Sequence, residues 1–254
     1  MEGSAVLPRQ LVFADISLGI VCPMANEGAT AVLFVTEVLK ICASFGFKDI
    51  SFFVIVDNAS NDNTQELLES LGLHDRAVRV IWAPENRNVV DAYMRGYREA
   101  LAAGCDWILE IDAGYSHQPS DIPQFLHAML NGFDCVFGTR FDGGGKMIES
   151  SLKRRLISRG GTALTNLVLG TRLTDMTSGF ELFSRSILEN VLERGIRSRG
   201  PFFQTEIKTY CRTARAMEVP IRYRAPSHHM NNAALTDAFK NLWRLLMLRV
   251  RGTL

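Results

Sequence analysis

Cys105 to Pro119 reads CDWILEIDAGYSHQP. The apolar run from Trp107 to Ile111 ends in Asp112 and breaks at once into Ala113, Gly114, Tyr115 and Ser116. A run of about four to eight apolar residues closed by a turn signal predicts a buried strand of an α/β sheet. A lone carboxylate where that strand stops falls at the crevice in which open α/β sheets take their ligands. From this stretch alone Asp112 has two readings. It can open a turn or cap a helix, or it can face a ligand, and both stand.

On either side the same alternation repeats. Ile16 to Cys22 predicts a strand stopped by Pro23, which lacks a ladder N–H, with Met24, Ala25, Asn26 and Glu27 after it. Val32, Val35, Val38, Leu39 and Cys42 recur at helical spacing over 31–45. Ile50 to Val56 has the β-branched and aromatic residues of a central parallel strand and runs into the polar turn Asp57 to Thr64, which caps a helix near 65–71. Further strands are expected over 78–83 and 133–137, with helices over 90–103 and 121–132. Repeated strand–helix alternation argues for a mostly parallel sheet with helices on both faces, and the polar motifs follow the strands, where such sheets bind ligands.

Beyond Gly143, Gly144 and Gly145 the chain changes character. A helix is expected over 151–169, basic at its start, followed by a turn and short strand over 175–183, a helix over 202–216 and a last strand over 219–223. Residues 1–15 read as a lead-in, 16–233 as the main domain, and 234–254 as a basic amphipathic helix with no acidic residue after Asp237. That tail suits an anionic membrane surface, and equally a helix packed on the sheet or in a homodimer.

The chain has 254 residues, 47% of them hydrophobic, which is enough for a full core. A net charge of +1 gives no global field for nucleic acid. Five scattered cysteines, Cys22, Cys42, Cys105, Cys135 and Cys211, form neither a disulfide framework nor a zinc pattern and favour a reducing, cytoplasmic setting. No signal peptide is read at the start, and no apolar run nears the ~20 residues of a membrane span. The expectation is a soluble protein or one bound at the cytosolic face of a membrane.

Asp57 and Asn58, Asp112, and Arg140 follow three different strands, so all can line one sheet edge. Arg154 and Ser158 lie four apart, on one helix face, behind the Gly-rich loop. Arginines, a hydroxyl and backbone N–H groups converging near a carboxylate point to phosphate chemistry, with room for a divalent cation. Neither GxxxxGK[ST] nor a well-placed GxGxxG occurs, which argues against a P-loop or dinucleotide fold.

FGTRFDGGG (137–145), LKRRLISRGG (152–161) and DMTSGFELF (175–183) stand in the order and spacing of a known family. With IVDNASNDNT (55–64) and PMANE (23–27), the chain resembles the family 2 glycosyltransferases of GT-A fold, from about Leu18 to Leu246. Within them it is similar to the polyprenol-phosphate sugar transferases of the dolichol-phosphate mannose synthase type. The resemblance implies an inverting transfer of a hexose from a nucleotide-diphosphate sugar to a phosphate acceptor, foremost a polyprenyl phosphate. It implies that Pro23, Asn26, Glu27, Asp57, Asn58, Ser60, Asp112 and Gln204 hold the nucleotide-sugar. Arg140, Arg154 and Ser158 would hold the acceptor phosphate, and Asp112, Arg140 and Glu206 would serve catalysis.

The pattern is departed from in three places. Gly114 replaces the second carboxylate of the Asp-x-Asp signature, which weakens the case for Mg²⁺ or Mn²⁺ at Asp112. Ser227, His228 and His229 stand where a Ser-Lys pair is usual, and His229 is a candidate metal ligand beside Asp112. Ala25 and Asn58 replace an aromatic and an acid of the nucleotide-binding segments. Two alternatives stay open: the same chemistry on a soluble phosphorylated acceptor, and an inactive nucleotide-sugar-binding protein.

Overall fold

The structure is a computed structural model that describes residues 11–148, 150–224 and 232–254. Its first half alternates β1 (Ser17–Pro23), α1 (Ala31–Ala43), β2 (Asp49–Val56), α2 (Thr64–His74), β3 (Val78–Trp82), α3 (Val89–Ala102), β4 (Trp107–Glu110), α4 (Ile122–Leu130) and β5 (Cys135–Thr139). The second half runs through β6 (Lys146–Ile148), α5 (Leu152–Leu169), β7 (Glu181–Ser184), α6 (Arg185–Arg194), α7 (Phe203–Tyr210), β8 (Ala216–Pro220), β9 (Arg222–Arg224) and α8 (Asn232–Val250).

Seven strands form one sheet in the order β3-β2-β1-β4-β7-β5-β8. Only β7 runs against the others, pairing antiparallel with both β4 and β5. The C-terminal ends of β1, β2, β4, β5 and β8 therefore share one edge. β1 lies between β2 and β4, so the strand order reverses there and opens the crevice that such sheets use for ligands.

The two sheet faces carry separate apolar layers. Leu18, Ile20 and Cys22 pack with Phe34, Val35 and Val38 of α1 and Phe125 of α4 on one side. Val21, Phe53, Ile55 and Ile108 pack with Tyr93 and Tyr97 of α3, Ile207 of α7 and Leu245 of α8 on the other. Gly96 lets α3 press onto the sheet, since a Cβ there would meet Val21 Cγ1 at 2.3 Å. This close approach brings Tyr93 to the end of β4.

The mostly parallel, helix-flanked sheet expected from the sequence is present. The strand expected over 219–223 is instead two. Ile221 tucks against Gly138, where a Cβ would lie 2.9 Å from Ile221 Cδ1, so β8 stops at Pro220. β9 then pairs with β6 in a separate two-stranded sheet. The helix expected to reach 216 ends at Tyr210; β6 is too short to show a period, whereas Ile187, Leu188, Val191 and Leu192 of α6 do recur at helical spacing and went unread.

α8 packs on the body through Leu242 and Leu245 and leaves Leu235, Phe239, Trp243 and Val250 exposed. Asp237 fastens it by accepting from Ser198 Oγ at 2.5 Å and Gly200 N at 3.2 Å. All five cysteines are buried and free. Among the described residues no helix is long and apolar enough to cross a membrane.

Candidate active site

The crevice is bounded on one side by two interlocked loops. Asn26, in the left-handed region at φ 59°, follows β1 and spans to the loop after β2. Its Nδ2 donates to the Ala59 carbonyl at 2.9 Å, and its Oδ1 accepts from Asn61 N at 2.8 Å. Ser60 Oγ accepts from Asn26 N at 3.2 Å, and Asp62 accepts from Gly28 N at 2.9 Å. Asp57 Oδ1 caps the turn by accepting from Ala59 N. Asn58 turns outward and donates to the Pro84 carbonyl. These polar runs thus lock each other as well as rimming the crevice beside Pro23 and Glu27.

At the centre stands Asp112, with 37% of its side chain exposed. Tyr93 OH donates to Asp112 Oδ1 at 2.5 Å. Burial, then the nearby Asp112 and Glu110 charges, push the Tyr93 phenol well up, so it remains a donor. The Asp112 backbone N–H donates to His117 Nδ1 at 3.0 Å. His117 is buried, stacks on Phe180 at 4.9 Å, and is held down to about 4 by burial foremost, despite the Asp112 carboxylate. It is therefore neutral, with its remaining proton on Nε2.

Beneath Asp112 lies a buried ionisable cluster. Glu110 and Glu181 face each other across the β4–β7 pairing. Tyr97 OH and Gln204 Nε2 donate to Glu110. Lys208 Nζ lies 3.1 Å from Glu181 Oε1 and donates to the Ser178 carbonyl at 2.6 Å. The 3.1 Å contact is an ion pair whose alignment is too poor for a hydrogen bond, so both Glu181 oxygens lack a donor among the described residues. Burial first, and Glu181 second, push Glu110 well above the usual carboxylate range, while burial carries Glu181 to about 7 against the pull of Lys208. The protonated form of Glu110 is thereby favoured more than it is for an exposed carboxyl.

The other side of the crevice is cationic. Arg140, 7% exposed, makes a paired contact with Asp175, Nε to Oδ2 at 2.7 Å and an Nη to Oδ1 at 2.8 Å. The ring of Tyr223 lies under both Arg140, at 5.4 Å, and Arg154, at 6.0 Å. Tyr223 also meets His117, through an isolated antiparallel bridge and with ring centroids 5.1 Å apart. Beside it, Arg224 N donates to the Ser116 carbonyl at 2.9 Å, which ties the small β6–β9 sheet to the loop that carries Asp112. Tyr223 thus stands between the Asp112 end of the crevice and its arginines.

Next to Arg140 opens a cavity of ≈ 600 Å³. Arg140, Lys146, Arg155 and Arg159 line it with Phe141, Met147, Ile148, Leu152 and Leu156, and among the described residues no acid does. Gly145 builds its wall, because a Cβ there would strike the Thr139 carbonyl at 2.2 Å. Arg155 donates to the Met147 carbonyl at 2.7 Å, and Arg159 lies over the Phe141 ring at 5.2 Å.

The sequence-predicted residues therefore divide. Asp112, Arg140 and Arg154 gather around Tyr223, whose phenol is pushed up by burial and by Asp112 and pulled down by the two arginines. Ser158 lies one turn beyond Arg154 on α5. Gln204 is buried below the crevice on Glu110, with its Oε1 unpartnered among the described residues. Glu206 has a different place from the one expected. It is fully buried and accepts from Arg197 N, Ser198 N, Tyr210 OH and Arg244, so it fastens α8 and the 197–200 loop and has no face toward the crevice. His229 lies outside the described residues. Sequence reasoning missed Tyr93, His117's buried role, Tyr223, Arg155 and Arg159. Tyr93 and Tyr223 gave no motif, whereas Arg155 and Arg159 stood beside Arg154 in plain view.

A family model for glycosyl transferase family 2 matches residues 20–192. The chain is a family 2 glycosyltransferase. It is 33% identical over 172 residues to an undecaprenyl-phosphate mannosyltransferase from Micrococcus luteus, covering 67% of this chain and 70% of that one. It is 24% identical over 238 residues to a polyprenol monophosphomannose synthase from Mycolicibacterium smegmatis, covering 92% and 88% of the two chains. Among solved structures it is similar to glucosyl-3-phosphoglycerate synthase from Mycobacterium tuberculosis, whose complex with Mn²⁺, UDP-glucose and phosphoglyceric acid superposes with a TM-score of 0.64 at 18% identity, over 93% of this chain and 80% of that one. At that identity the likeness establishes the shared GT-A architecture of this glycosyltransferase.

A cation on a donor diphosphate needs hard oxygen donors. The glycosyltransferase presents the Asp112 carboxylate, and the Glu27 carboxylate fills the space where a side chain at Gly114 would stand. No group of three or more His, Cys, Asp or Glu converges for a metal among the described residues. One or two carboxylates completed by substrate phosphates and water is the usual way to hold Mg²⁺, so this donor set fits such an ion.

Proposed function

We propose that this glycosyltransferase moves a hexose from a nucleotide-diphosphate sugar to the phosphate of a polyprenyl lipid, with inversion at the sugar carbon. The observation that carries this reading is the cavity beside Arg140, whose described lining combines four cations with five apolar residues. A phosphate on an isoprenoid chain asks for that mixture, charge at one end and apolar surface next to it. The exposed Leu152 and Leu156 at its mouth extend the apolar wall outward. The names of the two polyprenol-phosphate relatives support the same acceptor.

The chemistry asks little proton transfer of the protein. A phosphate monoester is already anionic near neutral pH, so its oxygen attacks without a strong general base. Arg140 and Arg154 orient the acceptor and offset its charge, and Asp175 fixes the Arg140 guanidinium through its paired contact. The loops at 23–27 and 57–60 hold the nucleoside, and Asp112 faces the diphosphate. A bound Mg²⁺ or Mn²⁺ would supply positive charge to the leaving nucleoside diphosphate. Neutral His117 adds no positive charge to the floor of the crevice.

A soluble phosphorylated acceptor would satisfy the arginines and leave Phe141, Met147, Ile148, Leu152 and Leu156 without a partner. The lipid acceptor is therefore the better fit. The test is a thermal-shift screen of nucleotide-diphosphate sugars with Mn²⁺ or with EDTA, followed by NMR assignment of the anomeric configuration of the lipid product. A donor that stabilises the fold and yields the opposite anomer on polyprenyl phosphate supports the reading. Retained configuration, or no stabilising donor, overturns it.

A further inference from the structure

Gly114, at φ +64°, leaves a space beside Asp112 that another chain segment already fills with a carboxylate. A Cβ built on Gly114 would stand 2.7 and 2.8 Å from the two Oε atoms of Glu27. Those separations are close to the ones between an aspartate's own Cβ and its carboxylate oxygens. The second acid of the signature is absent from the loop after β4, and a carboxylate in its place comes from the loop after β1.

The backbone of Glu27 is firmly placed. Its N–H donates to Thr64 Oγ1 at 2.8 Å, and its carbonyl accepts from Thr30 N and Ala31 N, both at 2.8 Å. Thr30 Oγ1 donates to Glu27 Oε2 at 3.1 Å. Among the described residues Oε1 has no hydrogen-bond donor, and no Lys or Arg makes an ion pair with this carboxylate. β1 and β4 pair in parallel with Val21 opposite Glu110, so the loops that carry Glu27 and Asp112 leave the sheet at the same edge. Two carboxylates on adjacent loops of one sheet edge, neither in an ion pair with Lys or Arg among the described residues, suit a divalent cation that arrives on phosphate oxygens.

We propose that Glu27 supplies the second carboxylate oxygen for the cation that accompanies the donor diphosphate, in place of the acid missing at Gly114. The proposal rests on the nucleotide-sugar donor reading above and changes the duty of Glu27 within it, from nucleoside contact to cation ligand. It also accounts for Gly114 itself. An aspartate there would be driven against the Glu27 oxygens, so one acid excludes the other.

The test is Mn²⁺ titration of the full chain by EPR in the presence of GDP or UDP, whichever binds, with nucleotide affinity measured separately in EDTA. Glu27→Gln is expected to weaken Mn²⁺ binding about tenfold or more, while nucleotide affinity in EDTA stays close to native. Gly114→Asp alone is expected to weaken it as well, by like-charge crowding. The double variant Glu27→Gln/Gly114→Asp is expected to recover Mn²⁺ binding, because the acid is returned by the other loop. Native Mn²⁺ affinity in a folded Glu27→Gln protein overturns the proposal. So does a double variant that melts like the native chain and fails to recover, or a Glu27→Gln protein whose only loss is nucleotide affinity in EDTA. If neither nucleotide binds the native chain, the donor reading fails first, and the proposal falls with it.

Discussion

The Tyr93 hydroxyl, delivered by α3, donates to Asp112 Oδ1 at 2.5 Å and fixes the one acid that β4 presents to the crevice. Tyr93 is itself stacked on Phe203 at 5.5 Å, so its ring is held from the far side. Tyr93→Phe keeps the ring and removes the donor. The expected result is a stability loss of about 1 kcal/mol and a weaker hold on donor, because Asp112 gains freedom to turn. Urea unfolding and donor titration check it. Unchanged donor affinity would show that Asp112 needs no such support.

Arg140 and Asp175 are both buried and satisfy each other in a paired contact. Arg140→Ala strands the Asp175 carboxylate, and the expected cost is about 3–5 kcal/mol of stability. Arg140 is thus a poor choice for testing acceptor binding alone. Arg154→Ala is the better variant, with loss of transfer to polyprenyl phosphate at nearly native donor affinity and melting temperature. Equal loss of donor binding would place Arg154 on the wrong substrate.

His117 gives a pH dependence of known sign. Its folded value is about 4, below the ordinary value near 6.5, so the unfolded chain takes up the proton first as pH falls. The stability it contributes is complete above about pH 6.5 and is lost progressively toward pH 4. Between pH 7 and pH 5 the loss is about 2 kcal/mol. His117→Asn keeps an acceptor for the Asp112 N–H and removes the titration. Urea midpoints at the two pH values should therefore converge more in the variant than in the native chain.

Glu110 has the opposite sign. Its folded value is raised, so the native state holds a proton that the unfolded chain releases, and stability falls as pH rises above the ordinary carboxylate range. Glu110→Gln removes that slope while keeping a group that Gln204 and Tyr97 can bond. The variant is expected to be at least as stable as the native chain at pH 8. A marked loss at pH 8 would mean that Glu110 works as a carboxylate.

Much of the fold was legible because its signals are local. The apolar runs of β1, β2 and β4, each closed by a polar turn, announce buried strands before any contact is known. The short strands β6 and β9 were not legible, since their pairing depends on Ile221 turning beneath Gly138 far along the chain. At the site, Asp112 and Arg140 were visible as polar residues at strand ends. Tyr93 and Tyr223 were not, because an aromatic at helical or strand spacing reads as core until its hydroxyl or ring is seen against a charge. Glu206 misled for the converse reason. An acid in a motif looks available, and here four donors already use it.

The acceptor in this reading is a phosphate carried on an isoprenoid chain. What decides it is kcat/KM for two acceptors with one donor, a polyprenyl phosphate in detergent and soluble 3-phosphoglycerate in the same detergent. The apolar wall of Phe141, Met147, Ile148, Leu152 and Leu156 predicts a preference for the lipid of about two orders of magnitude or more, from apolar surface removed from water. The preference should shrink in Leu156→Asp, which places a charge on that wall. Equal or better use of the soluble acceptor by the native enzyme would overturn the lipid-acceptor reading.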